Sequence, residues 1–262
     1  GDTHTASLPF SEDGDYRFLL ACADRAGNKS GEAAAEFSVD RTPPSIEILG
    51  LEPDSANRGE VGAEVRLADK RLIPETAAVE VARLDQEGEK RRYRYQELSG
   101  GGGEIVKKLL PESFPETEEA DGLYVLRAAG EDRAGNRTER ELLFSVNRYG
   151  SVFAAAGETG EWLGAETYPY LPEEREVVIR EYNVDPVEDF QVSLSRNGAV
   201  GLLSEGKGFQ RKALSEGADT AGWKVYEYRI RKEVFEQEGD YELLFHSMDR
   251  AGNRTGNGSA RN

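Results

Sequence analysis

Apolar and polar positions alternate with a period of two along three stretches of this chain. Tyr16, Phe18, Leu20, Cys22 and Asp24 fall on one side of an extended segment. Tyr124, Leu126, Ala128, Gly130 and Asp132 do the same, as do Tyr241, Leu243, Phe245, Ser247 and Asp249. Such a pattern predicts strands with one covered face. The opposite positions, among them Arg17, Val125, Arg127, Glu131, Glu242 and His246, are mixed and predict a wetter side. Every run ends in the same phrase, Asp-Arg-Ala-Gly-Asn, at residues 24–28, 132–136 and 249–253. Apolar segments 36–40 and 142–147 follow the first two copies and read as hairpin partners. No segment sustains a helical period, and 29 glycines with 10 prolines supply many turns. The predicted fold class is all-β, a tandem of β-sandwich modules.

The repeated phrase has a local mechanism. Gly27, Gly135 and Gly252 take the left-handed position of the hairpin loop, which glycine adopts without a Cβ clash. The side chains of Asp24, Asp132 and Asp249 accept bonds from loop amides, with Asn28, Asn136 and Asn253 closing the turn. Calcium binding by the turn alone is disfavoured: one carboxylate and one amide fall short of the roughly 6 to 8 oxygens that ion takes. Eight residues before each Asp stands a tyrosine, Tyr16, Tyr124 or Tyr241, itself preceded by an acid and glycine: Asp13-Gly14, Asp121-Gly122, Glu238-Gly239. A tyrosine entering a strand after such a turn fits the tyrosine corner of immunoglobulin-like sandwiches, in which the hydroxyl closes onto the preceding loop.

The acidic-Gly-x-Tyr entry, the Asp-Arg-Ala-Gly-Asn turn, and Phe37-Ser38-Val39-Asp40 leading to Thr42-Pro43-Pro44 together resemble the bacterial immunoglobulin-like (Big-type) repeat domains of large surface proteins and adhesins. The resemblance is best at the repeat ends, in all three copies. Copies 108 and 117 residues apart are the spacing of whole small domains. Residues 1–42 are expected to be the closing part of one module, 43–147 a complete module, and 148–262 a third module lacking its last strand. Within the complete module, segments 45–49, 64–68 and 79–84 read as strands. Residues 83–85 and 92–95 flank Gln86-Glu87-Gly88-Glu89 and read as a hairpin, and Ser99 to Gly103 as a loop.

Composition narrows the function classes. A formal charge of -17 argues against nucleic acid and anionic membrane surfaces, both of which need a basic footprint. No apolar run reaches the roughly 18 residues of a membrane span, and neither end shows a leader or sorting signal, so a segment of a longer polypeptide is expected. The single cysteine, Cys22, rules out an internal disulfide framework and, alternating with Tyr16 and Phe18, is expected to be a buried thiol. His4 and His246 stand at a terminus and on an outward face, so no catalytic base is expected from either.

Two features remain as candidate sites. The resemblance implies that Asp40, at the end of the first module, with Asp24 near it, helps hold calcium between modules. At the next junction Asn147 replaces the acid and Arg148-Tyr149-Gly150 replaces Thr-Pro-Pro, so packing is expected to join the modules there. Fourteen of the 23 aromatic residues lie after residue 147, including Trp162 and Trp223, and a half-exposed tryptophan suits a protein or sugar partner. The expected protein is a non-enzymatic extracellular stalk or adhesin segment that meets a host glycoprotein or glycan. The alternatives are accessory modules of a carbohydrate-active enzyme and a host immunoglobulin-binding protein.

Overall fold

A computed structural model describes residues 5–84, 93–100, 102–160, 175–214 and 223–257. Strands β1 (Gly14–Leu20) and β2 (Ala33–Val39) form an antiparallel pair with Tyr16 opposite Phe37. Phe10 packs edge-on against both rings at 4.9 Å. No other described strand joins this pair. Its apolar side chains therefore stay open to solvent: Leu19, Leu20 and Phe37 are exposed, and so is Cys22, against the expectation of a buried thiol. Strand β1 ends at Leu20, so Cys22 lies beyond the alternating segment that would have turned it inward.

The next eight strands make a two-sheet sandwich. They are β3 (Ser45–Leu49), β4 (Ser55–Asn57), β5 (Ala63–Ala68), β6 (Ala78–Arg83), β7 (Tyr95–Gly100), β8 (Glu104–Leu109), β9 (Gly122–Glu131) and β10 (Arg137–Val146). One sheet runs β3-β5-β8-β7 and the other β4-β10-β9-β6, with only β4 parallel to its neighbour. This is the ABED and CFG order of an immunoglobulin constant-type domain, its first strand divided between the sheets. The hairpin expected between residues 83–85 and 92–95 is not formed by their described residues: Arg83 belongs to β6, which pairs with β9, and Tyr95 to β7, which pairs with β8, in opposite sheets. The chain crosses the sandwich there because both apolar faces must turn to one core. Residues 85–92 themselves lie outside the described residues. Of the segment expected as a loop, Ser99 and Gly100 instead close β7 opposite Ile105 and Glu104, Gly102 and Gly103 turn at positive φ, and residue 101 lies outside the described residues.

The remaining strands build a second sandwich: β11 (Val152–Ala155), β12 (Val177–Asn183), β13 (Val187–Arg196), β14 (Ala199–Leu202), β15 (Phe209–Ala213), β16 (Lys224–Ile230), β17 (Tyr241–Asp249) and β18 (Arg254–Gly256). Its sheets are β11-β12-β16-β15 and β14-β13-β17-β18. Strand β14 is an addition to the plan, folded back by a two-residue turn in which Asn197 and Gly198 have φ of 50° and 83°. The final strand, expected to be missing, is present as the three residues of β18 beside β17.

Each sandwich has its own core. Val65, Leu67, Tyr124, Leu126, Phe144 and Val146 centre the first, Val192, Phe209, Tyr228, Ile230 and Phe245 the second.

Gly135 sits at φ 87° in the turn between β9 and β10, and a Cβ built on it would meet nothing within 4 Å. Gly135→Val is therefore expected to destabilise the first sandwich through backbone strain alone, by about 1–3 kcal/mol. Denaturant unfolding followed by amide exchange in β9 and β10 measures it. A variant as stable as the parent would show that the turn relaxes to another conformation.

Candidate functional site: the junctions between units

The three turns are built alike. The carboxylate of Asp24 accepts the N–H of Ala26 at 2.9 Å and of Asn28 at 2.8 Å, and its other oxygen accepts Asn28 Nδ2 at 2.7 Å. Asp132 repeats this with Ala134, Asn136 and Asn136 Nδ2 at 2.8, 2.9 and 2.8 Å. Asp249 takes Asn253 N–H and Nδ2 at 2.9 and 3.1 Å. The tyrosines also recur: Tyr16 Oη donates to the Glu12 carbonyl at 2.8 Å, Tyr124 Oη to Ala120 at 2.7 Å, and Tyr241 Oη to Gln237.

These two motifs meet at the linkers. Asn136 Nδ2 also donates to the Asp40 carbonyl at 3.1 Å, and Asn253 Nδ2 to the Asn147 carbonyl at 2.9 Å, so each turn holds the chain that enters its own unit. From the other side, the acid that precedes each tyrosine holds the chain that leaves. Asp13 accepts Arg41 N–H at 3.0 Å and, on its other oxygen, Thr42 Oγ1 at 2.6 Å. Asp121 accepts the N–H groups of Arg148 and Tyr149 at 2.9 and 3.0 Å. Arg41 and Arg148 then donate to loop carbonyls of the unit just left, Arg41 to Phe10 and Ser11, Arg148 to Gly59, Phe114 and Pro115.

Around the first linker three acids converge. Carboxylate oxygens of Asp40, Asp69 and Asp132 lie within 4.8 Å of one another. Arg71 faces them with Nη1 3.3 Å from Asp40 Oδ2, and it also bonds Asp15 and Ser38 Oγ. Burial works against ionisation of Asp132, but the amide of Asn136 and the turn N–H groups outweigh it and hold the carboxyl below its ordinary value. Asp15 is likewise held low by the Ser38 hydroxyl and the Arg71 charge. Asp24 is not part of this cluster. Gly14 pairs with Val39 beside Asp40, whereas the Asp24 turn closes the opposite end of the same hairpin.

The second linker carries the same positions with different chemistry. By register Ala68 faces Ser45 and Tyr182 faces Val152, so Asn183 corresponds to Asp69, and two residues on, Asp185 corresponds to Arg71. Asn147, fully buried, stands for Asp40. Its Nδ2 donates to Asn183 Oδ1, Asp185 Oδ2 and Asp249 Oδ2 at 2.9, 3.0 and 2.9 Å. Its Oδ1 accepts Gly150 N–H at 3.1 Å, and its N–H bonds the Asn57 carbonyl at 2.9 Å. Ser145 Oγ crosses from the first sandwich to Asp185 at 2.8 Å, and Arg250 lies 3.5 Å from the same carboxylate. Burial pushes the Asp185 carboxyl above its ordinary value, against the bonds from Asn147 and Ser145. Hydrogen bonds join the two sandwiches here. Gly150 fits because it has no side chain: at φ 73°, a Cβ would come within 2.8 Å of Thr255 Cγ2 and 2.9 Å of Asn253 Cβ.

Asp69, Arg71, Asp121, Asn183 and Asp185 escape the sequence reading. The acid before Gly-x-Tyr was a visible signal, since it recurs with the tyrosine; Asp69 and Asp185 follow strands that look ordinary in sequence. Trp223 is half-buried just before β16, and Trp162 lies outside the described residues.

No helix among the described residues is long and apolar enough to cross a membrane. The chain matches no family model, and no curated protein matches it. Among solved structures it is similar to an anomalous substructure of Titin-A168169, at TM-score 0.35 and 12% identity over 80% of this chain and 95% of that one. It is also similar to a tetra-tandem repeat in the extending region of a large adhesion protein, at TM-score 0.42 and 14% identity. That match covers 94% of this chain and 55% of the other, so the chain spans about half of it.

Proposed function

We propose that the chain is a non-enzymatic stalk segment of a bacterial cell-surface adhesin, an extracellular array of Big-type immunoglobulin-like modules at residues 1–42, 43–147 and 148–262. The observation that carries this reading is the double clasp on each linker. The two motifs repeated in the sequence, acidic-Gly-x-Tyr and Asp-Arg-Ala-Gly-Asn, supply the parts that grip the connecting chain from the unit before and the unit after it. A protein that only needed stable sandwiches would not need the motifs to reach the linkers. Of the buried acids at the junctions, Asp121, Asp185 and Asp249 accept bonds from the linker or from the neighbouring unit.

The first junction suits a divalent cation. Asp40, Asp69 and Asp132 gather their carboxylates, Arg71 pairs with Asp40 and Asp15, and Lys70 lies 3.7 Å from Asp15, so four acids against two cations leave negative charge in excess. Asp40, Asp69 and Asp132 would hold calcium, a hard cation that takes carboxylate oxygens. Small-angle scattering and thermal unfolding with calcium and with chelator test the whole reading. Units end to end, each about ten strand residues long at ~3.3 Å per residue, predict a maximum dimension on the order of 100 Å. Calcium is expected to raise the melting temperature of the parent, because binding only the folded state stabilises it, and to leave Asp40→Asn unchanged. A collapsed particle would refute the stalk, and identical melting in calcium and chelator would refute the ion.

A second reading, adhesion through the third module, is favoured by one observation. Val200 and Leu202, 64% and 69% exposed, are the most exposed large apolar side chains among the described residues. They share a face of the edge strand β14, and Leu202 borders a groove of about 810 Å³ with Gln191, His246 and Met248. A host glycoprotein is the partner this patch would meet. Capture of mucin-type glycoproteins by the parent, and its loss in Leu202→Lys with unchanged melting, is the expected result; equal capture by both would remove this reading.

A further inference from the structure

We propose that the second junction is a permanent lock in which the side-chain amide of Asn147 stands in for the cation of the first, so that the two sandwiches keep one orientation without any ion while the first junction answers to cations. The contrast with the first junction rests on the cation reading above; the lock itself rests on the geometry of Asn147.

Both linkers are held by an acid on a linker N–H and by a turn amide on a linker carbonyl, and around those shared contacts the side chains differ. At the first, Asp40, Asp69 and Asp132 turn carboxylates toward one another and repel. At the second, Asn147, Asn183 and Asp249 occupy the same three positions, and two neutral amides replace two charges. The Asn147 nitrogen sits where the oxygens of its neighbours converge, with three acceptors at or below 3.0 Å. An amide has only two N–H bonds, so one is shared, as happens when a donor is placed at the focus of several oxygens. That focus is what a metal ion would otherwise occupy. Arg71 of the first junction becomes Asp185 of the second, which replaces a surface-reaching cation by a fully buried anion.

Asp185 in turn would be an uncompensated buried charge without its partners. Ser145 Oγ approaches both of its oxygens at 2.8 Å from across the junction, Asn147 Nδ2 reaches one of them from the linker, and Arg250 stands at 3.5 Å. Swinging one sandwich away from the other would break the Ser145 and Asn147 bonds to Asp185 together. A buried network of this kind is satisfied in one arrangement only. The network continues into the core of the third unit, because Asn183 Nδ2 bonds Ser151 Oγ at 2.8 Å, and that hydroxyl donates to the buried Glu181 at 2.6 Å, which accepts Tyr228 Oη at 2.6 Å. The lock is thus anchored to an interior side chain of the sandwich and not to a surface loop.

The test is a pulsed electron-spin distance measurement on the full chain, with Cys22→Ser, and spin labels at Glu80→Cys on β6 and Gln210→Cys on β15. The parent is expected to give one narrow distance distribution, the same in calcium and in chelator. Asn147→Ala should at least double its width, and Asn147→Asp should broaden it in chelator and narrow it again in calcium. A parent distribution that broadens in chelator, an Asn147→Ala as narrow as the parent, or an Asn147→Asp that calcium does not narrow would each overturn the proposal. Amide exchange at Phe144 and Tyr228 shows whether both sandwiches remain folded. If Asn147→Ala unfolds the third unit, Ser145→Ala, which removes only the hydroxyl across the junction, takes its place, and a narrow distribution there would overturn the lock. Failure of the cation reading alone looks different: labels on either side of Asp40 would be indifferent to calcium while the Asn147 results stood.

Discussion

Replacing Tyr124 by alanine is expected to destabilise the first sandwich by about 3–5 kcal/mol, enough to unfold a domain of ordinary stability. The side chain is fully buried, lies nearly parallel to Phe144 at 5.5 Å between ring centres, and meets Phe114 edge-on at 5.2 Å. Its loss would leave a cavity bounded by Phe144 of the neighbouring strand β10 and Phe114 of the β8–β9 connection, which cannot collapse without moving the backbone. Tyr124→Phe separates the two roles of the residue. It keeps the ring and deletes only the bond to the Ala120 carbonyl, so about 1 kcal/mol is expected. Denaturant unfolding of the full chain, followed by amide exchange at Leu126 and Phe144, gives both values. Equal losses for the two variants would mean that the corner bond and not the ring holds the unit. In the first unit the same tyrosine is half-exposed, and Tyr16→Ala should cost far less.

Asp249→Ala is expected to cost about 3–5 kcal/mol and to act on two units at once. Its carboxylate is almost fully buried and accepts Asn253 N–H, Asn253 Nδ2, Asn147 Nδ2 and Asn183 Nδ2. Alanine would leave donors without partners where water does not enter, and that penalty exceeds the worth of the bonds themselves. The turn would lose its closure and the linker its clasp, so the third unit should unfold at lower denaturant and the distance distribution between the sandwiches should broaden before it does. Asp24→Ala, in an exposed copy of the same turn, should be much milder. Similar losses at Asp24 and Asp249 would show that the turn matters only as a hairpin and that its reach to the linker contributes nothing.

Much of this architecture is written in local pattern. Alternation at Tyr124 to Asp132 specifies a strand with one buried face because side chains of a strand point to opposite sides in turn, whatever the rest of the chain does. The glycine of each turn and the Asp three residues before it are equally local, since positive φ and side-chain-to-amide bonds close within five residues. What escaped was set by partners far away in sequence. Residues 83–85 and 92–95 look like a hairpin because they are neighbours in the chain, but β6 finds β9 and β7 finds β8, and only the closing of two sheets over one core decides that. Cys22 carries the apolar alternation of a buried position, yet β1 stops at Leu20 and no other described strand joins its hairpin, so the same pattern ends in an exposed thiol.

The junctions divide the same way. That Asp40 gives way to Asn147 is visible by aligning the repeats, and it correctly signals a loss of charge. That Asp69 and Asp132 gather about Asp40, while Asp24 stays at the far end of its hairpin, depends on residues up to 92 positions apart. That Asn147 would be met by Asn183, Asp185 and Asp249 depends on separations of 36 to 102 residues. By itself the sequence determined the strands that run from each tyrosine to its aspartate, the turns that follow them and the tyrosine corners, because each is a short-range consequence of backbone geometry and side-chain type. Only the tertiary structure decided which acids share a junction and what neutralises them, because electrostatic and hydrogen-bonding partners are chosen by distance in space, and folding sets that distance without regard to order along the chain.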